Sequence, residues 1–143
     1  MRLRIRVEGS AWILFAVLIL LLPLNWVLAS VTAATVHELF HLFFLKLSRV
    51  PVYSLRIGGR GAMLETGTME SRQEFFCALA GPMGSLMLIL LLRILPRTAL
   101  CGLVQGIFNL IPLGESDGAR ILQSAMGLYY GKKPCKQGKE GVQ

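Results

Sequence analysis

Val36-His37-Glu38-Leu39-Phe40-His41 holds both histidines of the chain, and it lies inside an apolar segment. On a helix, residues four apart stand one turn above each other, with roughly 5–6 Å between Cβ atoms. Both imidazoles can therefore reach a single ion. Zinc takes neutral imidazole readily. A glutamate directly after the first histidine can sit over a remaining coordination position as a general base. Short motifs of this kind also arise by chance in soluble proteins. The surroundings argue against chance here, because an ionisable side chain at the centre of a membrane helix costs about 2.5–3.5 kcal/mol on insertion scales. Three such side chains within five residues need a compensating partner, and a metal ion is one.

The 143 residues make one domain's worth of chain. Hydrophobic residues are 54% of it and charged ones 16%, and the mean hydropathy is +0.59. Those values belong to membrane proteins rather than to soluble globules. A net charge of +7 would suit a nucleic-acid binder. However, the basic residues fall between apolar segments and in the tail, as in loops facing the cytoplasm. Membrane lipids, and no nucleic acid, are the expected surroundings. Cys77, Cys101 and Cys135 are odd in number and form no C-x-x-C pair, so free thiols are expected rather than disulfides or a cysteine metal site.

Arg2, Arg4 and Arg6 precede an uncharged run from Gly9 to Val36. That opening also fits a secretory signal peptide, with Val27-Leu28-Ala29 as its cleavage site. Apolarity continues past Ala29, and cleavage there would leave the histidine segment barely able to span, so an uncleaved anchor is expected. A single helix from Ser10 to Leu45 would reach about 54 Å, against a hydrocarbon core of about 30 Å. Pro23-Leu24-Asn25 is the break signal, which divides the run into segments at about 10–23 and 26–47. Residues 52–57 alternate, Gly58-Gly59-Arg60-Gly61 interrupts, and Ala62 to Thr66 resumes, which reads as a hairpin. Its edge strand would be able to pair with an unwound peptide. An amphipathic cytoplasmic loop is the alternative. Apolar segments at about 73–95 and 98–113 follow, and Ala119 to Tyr130 reads as an amphipathic helix. Residues 1–130 then form the core, and 131–143 a short, basic, disordered tail.

The expected fold is an all-α polytopic membrane protein of about four transmembrane helices, with a small β-hairpin-like loop between the second and third. Charge gives an independent check. Thirteen Lys and Arg residues lie at the N-terminus, in 46–72 and beyond Asp117, against Arg93 and Arg97 in the intervening turns. Both termini are thus expected in the cytoplasm. His37 and His41 then fall in the cytoplasmic half of their span, and Asp117 follows the inward end of the fourth. Zinc enzymes commonly use three protein ligands and leave one position for water or substrate. Asp117 is the preferred third ligand because Pro112 unwinds the segment before it, while Glu65, Glu70 and Glu74 remain open. A helix N-cap is the structural alternative for Asp117.

H-E-x-x-H in an apolar helix, Ala80-Gly81-Pro82 in the next, and Asn109-x-x-Pro112 leading to Asp117-Gly118 together resemble the site-2 protease family of intramembrane zinc metalloproteases. The resemblance covers roughly residues 10–125. The small size and the Gly58-Gly59 loop look most like the branch of the sporulation pro-sigma-factor protease. It implies one Zn²⁺ on His37, His41 and Asp117, with Glu38 as catalytic base. Asn109 and Pro112, with Gly118, Gly58 and Gly59, would serve substrate binding or structural support. Ser116, Ala119 and Ser85 depart from the family pattern, Ser85 standing where many relatives have asparagine. The implied activity is cleavage of a transmembrane or membrane-associated protein substrate by zinc-activated water, in regulated intramembrane proteolysis at a bacterial cell membrane. A regulatory membrane protein is a possible further partner. A catalytically inactive scaffold or pseudoprotease is the alternative function. A metal transporter ranks last, since its spans would carry more polar residues.

Overall fold

The computed structural model describes residues 4–58 and 61–130. Gly59 and the tail expected at 131–143 lie outside the described residues. The elements in order are β1 (Arg4–Val7), α1 (Gly9–Leu21), α2 (Leu24–Leu47), β2 (Val52–Gly58), β3 (Gly61–Thr66), α3 (Ser71–Met87), α4 (Pro96–Leu110) and α5 (Asp117–Tyr130), with a 3₁₀ turn at Leu88–Leu91 extending α3.

Leu22 and Pro23 adopt extended backbone between α1 and α2, as the proline predicts, since its ring disfavours helix in the residue before it. α1 is apolar from Ala11 to Leu21 and has no buried residue. Trp12, Phe15, Leu20, Leu28, Val31 and Leu90 all face outward. In water so wide an apolar surface would drive aggregation, whereas lipid matches it. This is a membrane protein. α2, and α3 together with its 3₁₀ turn, are each long and apolar enough to cross a bilayer. The thirteen residues of α1 reach only about 20 Å, which is short of the expected full first span.

The hairpin forms with β2 antiparallel to β3, and β1 joins it as a third strand, parallel to β2, with Arg4 beside Ser54 and Arg6 beside Arg56. The fold is therefore helical with a three-stranded sheet rather than a lone hairpin. The Ser54 hydroxyl donates to Glu65, and the Arg56 guanidinium lies 2.7 Å from the same carboxylate. The hydroxyl first, and then the guanidinium, hold the Glu65 carboxyl below its usual range.

The fourth span is broken, as Pro112 predicts, and α5 follows α4 as a separate helix. Gly102 and Gly106 press α4 against Ser85 and Leu88, where a Cβ at Gly106 would stand 3.1 Å from Ser85 Cβ. Small residues of this kind let membrane helices approach closely. α4 stops at Leu110, near the depth of the histidines, and Ile111 turns extended ahead of Pro112. α5 then continues along α3 in the same direction as α4, so that Gly127 faces Ser71 at the sheet end of the molecule. α4 and α5 are fifteen and fourteen residues long, so neither alone matches a bilayer-crossing helix.

α2 packs on α3 through Gly84, where a Cβ would lie 2.5 Å from Phe40 Cγ and 2.9 Å from Phe40 Cβ. Gly84→Ala gains about 0.5–1 kcal/mol of helix propensity. Overpacking costs about 1–3 kcal/mol, and here it falls on a half-buried ring whose Cβ is fixed by the α2 backbone. The clash outweighs the gain. Unfolding of the variant in mixed micelles is expected at a lower midpoint than wild type.

Candidate metal centre

α2 presents His37 and His41 one turn apart toward α3, and both are buried, at 2% and 5% exposure. Asp117, 8% exposed, arrives from the broken fourth span. Its Oδ2 lies 3.0 Å from His37 Nε2 and 3.3 Å from His41 Nε2, while the two Nε2 atoms are 3.3 Å apart. Ligand atoms placed about 2.05 Å from a tetrahedral zinc stand about 3.3 Å from one another. The triangle of donors therefore has the right size for three corners of that tetrahedron. Two imidazoles and a carboxylate also suit zinc chemically, and leave one position open. Among the described residues this is the donor group able to hold an ion.

The far sides of both rings are also occupied. His37 Nδ1 lies 2.8 Å from Ser85 Oγ, and His41 Nδ1 donates to the Cys77 carbonyl at 2.8 Å. Metal-bound histidines characteristically hold such partners on their other nitrogen. Both partners belong to α3. Space for the imidazoles comes from the same helix, because a Cβ on Gly81 would collide with the Nε2 atoms of both. The Ala80-Gly81-Pro82 stretch is thus the floor of the site, a role that its sequence did not disclose.

Asp117 owes its freedom to its neighbour. The capping role considered for it is taken by Ser116, whose Oγ accepts the Ala119 N–H at 3.3 Å. The same hydroxyl accepts the Leu113 N–H at 3.1 Å and donates to the Ile111 carbonyl at 2.6 Å. One side chain thus satisfies three backbone groups at a break in a membrane span, where water is scarce and each orphan is costly. The chain turns at Gly114, which has φ +59°, ahead of Asp117. Gly118 instead sits in the first turn of α5, where a Cβ would run into the Leu110 carbonyl. That close approach seats Asp117 against the histidines.

Asn109 Nδ2, at the end of α4, lies 3.1 Å from His37 Nε2. Glu38 is half-buried beside the trio, with His41, His37, Asp117 and Arg120 as its charged or titratable neighbours. Pro112 ends the helical run but touches none of the donors in any hydrogen bond. Gly58 lies against Glu8 and Ser10 at the end of the sheet. The other acidic candidates are engaged elsewhere. Glu65 is held on the sheet, the Glu70 N–H is capped by Gln73 at 3.1 Å, and Glu74 has Arg120 as its charged neighbour.

No protein-family model and no curated protein matches the chain. Among solved structures, the chain is similar to the site-2 protease from Methanocaldococcus jannaschii, at a TM-score of 0.73 and 22% sequence identity. The match covers 90% of this chain and 69% of that one. The two share a fold.

Ser116→Ala removes the cap of α5 and leaves the Ala119 amide without its acceptor, while the Leu113 N–H keeps the Ile111 carbonyl at 2.8 Å. Loss of a serine cap costs about 0.5–2 kcal/mol, and the upper end is expected at a site shielded from water. Hydrogen exchange should read it as faster exchange at Ala119, with the α2–α3 amides unchanged.

Proposed function

We propose that this chain is an intramembrane zinc metalloprotease of the site-2 type, a zinc endopeptidase acting on transmembrane or membrane-associated protein substrates. The observation that carries this reading is the buried triangle of His37, His41 and Asp117 with Glu38 one residue from its first ligand. The shared fold supports it. The basic residues of the sheet and of the α2–β2 connection support a cytoplasmic setting for that end and for both termini, and a bacterial cell membrane is the proposed setting.

His37, His41 and Asp117 would hold the ion through Nε2, Nε2 and Oδ2. A zinc ion bound there supplies Lewis acidity toward a peptide carbonyl and makes water a nucleophile near neutral pH. Glu38 acts as the proton carrier, accepting the proton of the attacking water and delivering it to the leaving amine nitrogen. Its place on the same helical turn as His37 keeps it beside the open position, and the apolar walls exclude bulk water that would compete for that proton. Asn109 Nδ2 lies 3.1 Å from His37 Nε2. Once that nitrogen turns its lone pair to a metal, the amide is free to bind the substrate backbone. A helical peptide bond is closed to such attack, so the substrate segment must unwind locally. The free edge of β3 offers backbone groups with which an extended segment can pair.

Glu38→Gln keeps the ligands and removes the proton carrier. With a library of single-span membrane segments co-reconstituted in proteoliposomes and products read by mass spectrometry, cleavage should fall at least about a hundredfold. Zinc content should stay at the wild-type level. Undiminished cleavage by the variant would contradict the role given to Glu38. No cleavage by the zinc-loaded wild type would favour an inactive scaffold.

A further inference from the structure

We propose that Ser85 is the positioning residue of the metal centre, which sets the direction and tautomer of His37 and, through them, the affinity for the ion. The proposal rests on reading the trio as a metal site, and it needs no assumption about proteolysis.

Ser85 is fully buried, at 0% exposure, and its Oγ lies 2.8 Å from His37 Nδ1. A ring that binds metal through Nε2 must carry its proton on Nδ1 and requires an acceptor there. For His41 that acceptor is the Cys77 carbonyl, which no substitution at Cys77 removes and which accepts only. His41 is therefore held permanently with its Nε2 lone pair toward the site. Ser85 differs, because a hydroxyl both donates and accepts. Without metal, it can donate to Nδ1 while Nε2–H is directed to Asp117 Oδ2, 3.0 Å away. With metal, the hydroxyl turns and accepts from Nδ1–H. The ring need not move between the two arrangements. The proton moves from one ring nitrogen to the other, and the serine accommodates both.

The helix behind Ser85 holds it in place. A Cβ on Gly106 would stand 3.1 Å from Ser85 Cβ and 3.9 Å from its Oγ, and one on Gly102 would stand 3.0 Å from its carbonyl oxygen. α4 thus closes over Ser85 on the side away from His37. Ser85 is not a ligand, and it lies 48 residues from the histidine that it orients.

Ser85→Ala and Ser85→Thr, each purified in detergent as the full chain, test this by zinc competition against a chromogenic chelator. The unfolding midpoint of the metal-free protein is measured alongside. Loss of a hydrogen-bond partner behind a ligand typically costs 10–100-fold in metal affinity. The alanine variant is expected to weaken zinc binding by about that factor, and threonine, which keeps the hydroxyl, is expected to restore it. Wild-type affinity in the alanine variant would overturn the proposal, as would equal loss in both variants accompanied by equal falls in the metal-free midpoint. If wild type itself binds no zinc, the metal reading falls and this proposal with it. If wild type binds and alanine binds as tightly, only the role of Ser85 falls.

Discussion

Three polar, ionisable side chains meet in a region walled by apolar helices, and the rest of the structure follows from the need to satisfy them. Burying such groups without partners costs several kcal/mol each. His37, His41 and Asp117 are all under a tenth exposed, and their donor atoms stand 3.0–3.3 Å apart. One ion of the right charge resolves all three. Each surrounding element contributes a specific accommodation: Gly81 clears the space, Ser85 and Cys77 hold the rings, and Ser116 releases the aspartate from capping.

The broken fourth span shows the same logic in the backbone. An unbroken helix from Pro96 onward would carry Asp117 past the histidines toward the sheet end. By stopping α4 at Leu110 and restarting at Asp117, the chain brings the carboxylate back to the depth of the imidazoles. Irregular backbone inside a membrane is tolerated where protein satisfies it, and the Ser116 hydroxyl does so for three groups. The function of this serine explains why an apolar residue is absent just before Asp117.

Much of this was legible in the sequence because it depends on local spacing. H-E-x-x-H on a helix fixes the two imidazoles without reference to any other segment. Pro23 marks the α1–α2 break, and the alternation at 52–66 marks the hairpin. Asp117 was reachable through loop charges, which place its end of the chain on the side of the histidines. The remainder depended on non-local contacts. The course of α5 along α3 is set by Gly118 against Leu110 and Gly127 against Ser71, pairs that no single segment reveals. β1 was hidden by its charge: Arg4-Ile5-Arg6-Val7 alternates like a strand, but its arginines read first as a cytoplasmic flank. Ser85 was visible only as a departure from a family pattern, because its partner lies on another helix.

The most direct measurement is zinc content per chain in protein purified in detergent without chelators, for wild type beside Asp117→Ala. About one zinc per wild-type chain, sharply reduced in the variant, is expected from a three-ligand site. Zinc retained in full without Asp117 would contradict the ligand set, and two metal-free proteins would contradict the metal centre itself.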